Sequence, residues 1–453
     1  MKKKYWIYII TFLVICLIPS AGLIFGKSDV SSENRELAEA PALADKDGFN
    51  ERVLSDAGAY FEDHFAFRNE WVTGYAFLLD KVFGVSAQDG VITGRNNWLY
   101  YKDSLNDYQG AKQMTDRQLF DVAHSLSLVQ TYAEANNINF VFTIAPNKNS
   151  LYGENMPYYY QGFREDTRNF SRIRKYLDAE GIHYVDLYNM LKSQDEILYH
   201  ARDSHWNNKG ASLAADAILT GLDKEHDRYE DRSYIVRRDY EGDLDTMLYP
   251  ASVSKEDEIY YEPAPSYEYC EEVESNFEPK ISTKADGKSG SLVMYRDSFG
   301  NALLPFIAEA FGDAYFSRGV PYQLTDLFTC KADALVIERA ERFLPDMAEN
   351  APMMAAPIIP SKTLKDLEFS RDIADLEVTN QGAFTKITGE VPMEELDTDS
   401  KIYIKVNELL NYEAFPVALK DGTEGFQLLV ASETLSEDNN TFEIHITHEE
   451  DES

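Results

Sequence analysis

The sequence predicts an α/β fold: an open, mostly parallel sheet flanked by helices, followed by a small β-sandwich. Three observations predict it. Between residues 115 and 345, apolar runs of strand length alternate with segments of helical period, as strands joined by helical crossovers do. The run Ile138 to Ala145 is almost unbroken in its apolar character, which a strand buried on both faces requires. After Pro360 the helical period gives way to short runs with partial alternation.

Taken in order, the chain begins with Lys2, Lys3 and Lys4 ahead of an uncharged stretch from Tyr5 to Gly26. As a helix this stretch could cross a hydrocarbon core of about 30 Å, and the lysines favour a cytoplasmic start. Residues 1–27 are therefore read as an uncleaved signal anchor, with a cleaved, secreted form as the competing reading. Apolar residues continue beyond Ser20, Ala21 and Gly22, which argues against cleavage there. Residues 28–114 are expected to form an extracellular segment that packs on the core.

The core is expected over residues 115–345. Thr115 to Asn136 reads as helix, Ile138 to Ala145 as strand, and Asp166 to Glu180 as helix with Gly181 as its stop. Ile182 to Leu187 reads as strand and Asn207 to Leu219 as helix. Ser291 to Tyr295 and Ala334 to Glu338 supply two more strands, with a helix from Asn301 to Phe311 after the first. Residues 225–288 break the rhythm as a polar, tyrosine-rich insertion. Its tyrosines would form a stacking surface for sugar rings, or simply hold an irregular insertion together; Tyr158 to Tyr160 carry the same two readings. A proline-punctuated linker, 346–363, leads to the β-sandwich at 364–453. Its strands are expected at Ala383 to Ile387, Lys401 to Val406, Ala414 to Leu419, Gly425 to Ala431 and Thr441 to Ile446, with turns such as Lys420-Asp421-Gly422. The acidic end, Glu449 to Glu452, is expected to be disordered.

Composition narrows the partners. With 43 Lys+Arg against 78 Asp+Glu the net charge is −35, which repels phosphate backbones and makes a nucleic-acid partner improbable. Three cysteines do not make a disulfide framework, although Cys270 and Cys330 could pair in an oxidising compartment. No Cys/His cluster has zinc-site spacing and no nucleotide-binding fingerprint occurs, so neither metal nor cofactor is expected. His64, His124, His183 and His200 read as surface or structural residues.

Two short motifs carry the chemistry: Asp203-Ser204-His205-Trp206 and Arg296-Asp297-Ser298-Phe299-Gly300. A serine becomes a nucleophile when a neutral histidine takes its proton, and a carboxylate commonly orients that histidine. On extended backbone Asp203 and His205 would point to the same side, so one can orient the other. Ser298 falls where a strand turns into a helix, exposing its hydroxyl beside free backbone N–H groups that suit an oxyanion. The bland alternatives are a surface loop for the first motif and a helix N-cap for the second.

Further segments bear on the choice: Glu33-Asn34-Arg35 with Pro41, Phe61 to Arg68, Asn97 to Tyr101, Ala145 to Tyr152, Gly210 after the first motif, and Val336 to Arg339. With the two motifs, and in this order, they resemble the SGNH-hydrolase-like O-acetyltransferases of the alginate O-acetyltransferase (AlgX/AlgJ-like) type, including the DHHW proteins. The resemblance implies a three-layer SGNH-like fold with circularly permuted motif order, since Asp203 and His205 precede Ser298. It implies Ser298 as nucleophile, His205 as base and Asp203 as orienter. It further implies acetylation of a polysaccharide outside the cell, with acetyl supplied by a membrane-bound O-acyltransferase partner. A carbohydrate acetyl esterase and a non-catalytic glycan-binding protein are the alternatives. Asn147, Lys148, Arg296, Asn301 and Trp206 are the candidate substrate or oxyanion residues, and the C-terminal domain is a candidate carbohydrate-binding module. Ser204 stands where the DHHW name has histidine; pointing away from the pair, it should matter little. Arg296 stands where simple SGNH enzymes often have glycine, which leaves the oxyanion donors open.

Overall fold

The computed structural model describes residues 2–25, 37–45, 48–361, 364, 373–392, 396–419, 422–436 and 440–447. Glu33 to Arg35, the turn residues Lys420 and Asp421, and the acidic end lie outside the described residues. The chain opens with the helix Lys2–Phe25, along which Tyr5, Trp6 and Phe12 are exposed. Among the described residues no helix is long and apolar enough to cross a membrane, and the anchor reading rests on the sequence.

The central sheet has seven strands in the order Tyr184–Val185, Asn139–Ala145, Ala334–Ala340, Ser291–Tyr295, Asp313–Ser317, Lys280–Lys284 and Glu268–Tyr269. The first five run parallel, Lys280–Lys284 pairs antiparallel to the fifth, and Glu268–Tyr269 pairs antiparallel to Lys280–Lys284. The pleat sends alternate residues into two cores. Val141, Leu292, Met294 and Val336 meet helices Asn208–Gly221 and Gly300–Ala308 on one face. Phe140, Phe142, Val293 and Ile337 meet helices Asp116–Ala135 and Asn169–Ala179 on the other. Helix Asp116–Ala135 starts where predicted because Thr115 and Gln118 form a capping box.

Two expectations are corrected here. The strand predicted over Ile182 to Leu187 shrinks to Tyr184–Val185, because Asp186 caps a new helix, Leu187–Lys192, through the Asn189 N–H at 3.0 Å. The insertion is also far from irregular. It forms a hairpin, Ser233–Glu241 with Lys255–Glu262, and then supplies the two antiparallel strands at the sheet edge. Lys280–Lys284 escapes notice in sequence because one face alone is buried, by Ile281 and Thr283, within a polar run.

The C-terminal region forms two four-stranded antiparallel sheets around their own core. Phe384–Val391 alternates buried and half-buried residues along its length, as such a sheet demands. Ile358–Ile359, from the predicted linker, pairs with Leu410–Glu413 at a sheet edge. Phe415 and Ala418 pack into the helical core around Asp116–Ala135, so the two domains share apolar surface. Cys16, Cys270 and Cys330 are all free; Cys270 and Cys330 do not pair.

Candidate active site

Strands Asn139–Ala145, Ser291–Tyr295 and Ala334–Ala340 end on the same side of the sheet, since they run parallel in register. In such sheets the loops beyond the carboxyl ends form the binding crevice. The loop after Tyr295 carries Ser298, and the fully buried Phe299 pins it to the core. Asp297 shapes it: Oδ1 accepts the Phe299 N–H at 2.9 Å and Oδ2 the Ala340 N–H at 2.6 Å. That bond occupies the Phe299 N–H, removing it from the oxyanion donors the sequence suggests.

The second motif lies in the loop before helix Asn208–Gly221. The structure brings His205 Nε2 to 2.9 Å from Ser298 Oγ, while Nδ1 donates to Asp203 Oδ1 at 2.8 Å. The backbone here bends rather than extends, and Asp203 Oδ1 also accepts the His205 N–H at 2.8 Å. Asp203 Oδ2 accepts the Tyr240 hydroxyl at 2.9 Å and the Asp243 N–H at 2.8 Å. Burial alone would raise the Asp203 pKa. The His205 bond and charge, with the N–H groups of Asp243 and His205, outweigh it and hold the carboxyl well below its usual range. For His205 burial works downward, but Asp203 and then Asp243 bring the ring above its ordinary value of 6.5. A base held ready by an ionised carboxylate, with a serine hydroxyl in reach, is equipped for acyl transfer.

Asp243 and Ser204 enlarge the unit. Ser204 turns toward the site, not away from it: Oγ donates to Asp243 Oδ2 at 2.6 Å and lies 3.1 Å from His205 Nδ1. The bend at this point, rather than a strand, is the reason. Asp243 Oδ2 is 3.6 Å from His205 Nδ1, and burial followed by the Asp203 charge raises its pKa. Asp203, His205 and Asp243 offer ligand atoms within 4.8 Å of one another. Four donors already saturate Asp203, so this geometry serves the hydrogen-bonded unit better than an ion.

The remaining sequence candidates support the site from behind. Lys148 is buried under the loop and donates from Nζ to the carbonyls of His200, Ala201 and Asp203 at 2.8, 2.8 and 2.7 Å. Burial pulls its pKa down to about 7, while Asp203, Asp243 and Glu256 hold it up. Asn147 donates through Nδ2 to Asp107 at 2.9 Å and through its N–H to Glu341 at 2.9 Å, so its donors are engaged away from Ser298. Arg296 is buried and ties the nucleophile loop to the insertion through Asn301 Oδ1 and the carbonyls of Asn276 and Glu278. Trp206 is buried against Phe299, ring centroids 4.9 Å apart, and contributes packing. Sequence reasoning missed Tyr240 and Asp243 because neither lies in a recognisable motif. Of the two readings the sequence left for His200, surface or structural, the structure shows the second: His200 is buried, bonds Glu258 at 2.9 Å and stacks on Tyr240 at 3.8 Å. Tyr158 and Tyr159 stand at the surface, while Tyr160 packs beside Trp98 and Tyr100.

Residues 91–283 match the family model described as the SGNH hydrolase-like domain of acetyltransferase AlgX, a range that contains Asp203 and His205 and ends before Ser298. No curated protein matches the chain in sequence. Similar solved structures include Bacillus cereus PatB1, at 15% identity over 56% of this chain and 96% of that one, with a TM-score of 0.45. A DHHW family protein from Eubacterium siraeum is 18% identical over 49% of this chain and 85% of that one, TM-score 0.40. The O-acetyltransferase domain of Pseudomonas putida AlgJ is 16% identical over 56% of this chain and 92% of that one, TM-score 0.39. The family model places an SGNH hydrolase-like domain over residues 91–283, within an α/β domain that is followed by antiparallel β-sheets.

Proposed function

We propose that this chain is an O-acetyltransferase that places acetyl groups on hydroxyls of a cell-surface or secreted polysaccharide, using Ser298, His205 and Asp203. The observation that carries the reading is the line of bonds from Ser298 Oγ through His205 to the saturated Asp203 carboxylate, in a chain whose residues 91–283 match an acetyltransferase model. His205 Nε2 takes the Ser298 proton as Oγ attacks the acetyl carbonyl carbon. Collapse of the tetrahedral intermediate breaks the bond to the donor's leaving oxygen, and His205 returns the proton to it. A sugar hydroxyl then attacks the acetyl-serine ester, giving its proton to His205. Ser298 Oγ leaves and takes that proton back. Asp203 stays ionised throughout and holds the ring in the tautomer that accepts at Nε2. On the sequence reading, residues 1–27 would anchor the protein, and a membrane-bound O-acyltransferase would supply the acetyl groups.

The test uses the full chain in detergent micelles with p-nitrophenyl acetate, with and without candidate oligosaccharides. Wild type is compared with Ser298→Ala and His205→Ala by released nitrophenol and by mass spectrometry of the sugar. Serine-dependent acetyl on the sugar is the expected result. Serine-dependent hydrolysis without sugar product, across an acceptor panel, would replace the transferase with an esterase. Equal inertness of wild type and mutants, with glycan still bound, would replace it with a binding protein.

A further inference from the structure

We infer that Tyr240, carried by the tyrosine-rich insertion, is a positioning residue of this site: its hydroxyl holds the Asp203 carboxylate and through it sets the proton affinity of His205. The inference rests on the reading of Ser298 and His205 as nucleophile and base.

The local fold aims this side chain on purpose. Strand Ser233–Glu241 pairs with Lys255–Glu262 in register as far as Arg238 opposite Asp257, then shifts so that Tyr240 faces Glu256. Such a bulge re-aims the residues around it. Every other residue of the strand is exposed; Tyr240 alone turns inward. There its ring lies flat on His200, at an interplanar angle of 6°, and His200 is fixed by Glu258. Gly242 then lets the chain pass the loop. A Cβ at this position would sit 2.4 Å from the Arg202 carbonyl oxygen. One element therefore delivers two donors, the Tyr240 hydroxyl and the Asp243 N–H, to the same oxygen, Asp203 Oδ2.

The chemical consequence has a definite sign. A carboxylate oxygen that loses a donor becomes a stronger base. Asp203 would then bind the His205 Nδ1 proton more tightly and favour the imidazolium. The other groups facing this pair are Asp243, whose Oδ2 is 3.6 Å from His205 Nδ1, and Lys148, which bonds the Asp203 carbonyl. Arg342 adds a positive charge felt by His205, working downward. The Asp243 N–H stays on Oδ2, but none of these groups supplies a donor in place of the Tyr240 hydroxyl, so removing that hydroxyl should register at His205.

The test is the pH profile of kcat/KM for p-nitrophenyl acetate with full-length wild type, Tyr240→Phe and a variant with 3-fluorotyrosine at 240. Tyr240→Phe keeps the ring on His200. It should lower activity at neutral pH roughly tenfold, as loss of a hydrogen bond to a charged group does. The acid limb should move to higher pH. Fluorotyrosine is a stronger donor of the same shape and should move that limb to lower pH. Opposite shifts support the inference. An unmoved limb in the fluorotyrosine protein overturns it, whatever the stability of Tyr240→Phe. Ser298→Ala is run alongside: full activity in that variant would sink the nucleophile reading itself, and this inference with it.

Discussion

Lys148→Met removes a buried ammonium from beneath the loop of Asp203 and His205 and puts a side chain of similar length in its place. Three carbonyls, those of His200, Ala201 and Asp203, lose their donor. Left unpaired in the interior, each costs about 1–3 kcal/mol. Against this, burial lowers the Lys148 pKa from 10.5 to about 7. A displacement of that size corresponds to about 5 kcal/mol of unfavourable burial of charge, which methionine relieves. Together the three carbonyls cost about 3–9 kcal/mol against the roughly 5 kcal/mol relieved, so net stability at neutral pH should fall between about 2 kcal/mol gained and about 4 kcal/mol lost. Geometry has no such compensation. The same carbonyls belong to the loop that carries Asp203 and His205, and a displacement near 1 Å at a reacting group costs roughly 100-fold in rate. The expectation is a kcat for p-nitrophenyl acetate down roughly 100-fold, whichever way the urea midpoint moves. A linked signature follows. In the folded protein Lys148 gives up its proton at lower pH than in the unfolded chain, so the unfolded state binds more protons between pH 7 and 10.5. Wild-type stability therefore gains with rising pH across that window, by up to about 1.4 kcal/mol per unit, a slope the methionine variant should lack. An active variant, within threefold of wild type, would refute the role given to this lysine.

Other outcomes follow from the same contacts. His205 must be neutral to accept the serine proton, and its pKa lies above 6.5, so kcat/KM should rise with pH through an apparent pKa above 6.5; a limb at or below that value would speak against the Asp203 contact. At the contact between the two domains, burial lowers the His124 pKa, but bonds to Glu180 and Glu413 bring it above 6.5. Its stabilisation is complete below the unfolded pKa and lost as pH rises through the folded one. Burial also pushes the neighbouring Asp121 and Glu424 carboxyls up, to about 6 and about 8, so they disfavour the contact as they ionise. Both effects have the same sign, and calorimetry should find the C-terminal domain less stable at pH 8 than at pH 6, with the slope reduced in His124→Gln. Gly242→Ala should push against the Arg202 carbonyl and lower kcat about tenfold; a crystal structure with an unmoved loop and full activity would show that this close approach is dispensable.

Much of the framework was legible in the sequence because it is encoded locally. Helix Asp116–Ala135 and strands Asn139–Ala145, Ser291–Tyr295 and Ala334–Ala340 lie close to their predicted places. Side-chain period and caps decide such elements residue by residue. The pairing of Ser298 with His205 was legible for another reason: the two motifs, together with the other matching segments, resemble the O-acetyltransferases, and that resemblance implied the roles. The edge strands escaped because one buried face in a polar run leaves little apolar signal. The sequence by itself determined the layers of the core and the three residues that line up from Ser298 to Asp203. Only the tertiary structure decided what holds them: Lys148 beneath the loop, Tyr240 and Asp243 reaching Asp203 from an inserted hairpin, and Ser204 turned inward. Those roles depend on which donor meets which acceptor across long stretches of chain. Such contacts form only after the sheet has closed, and no local period records them.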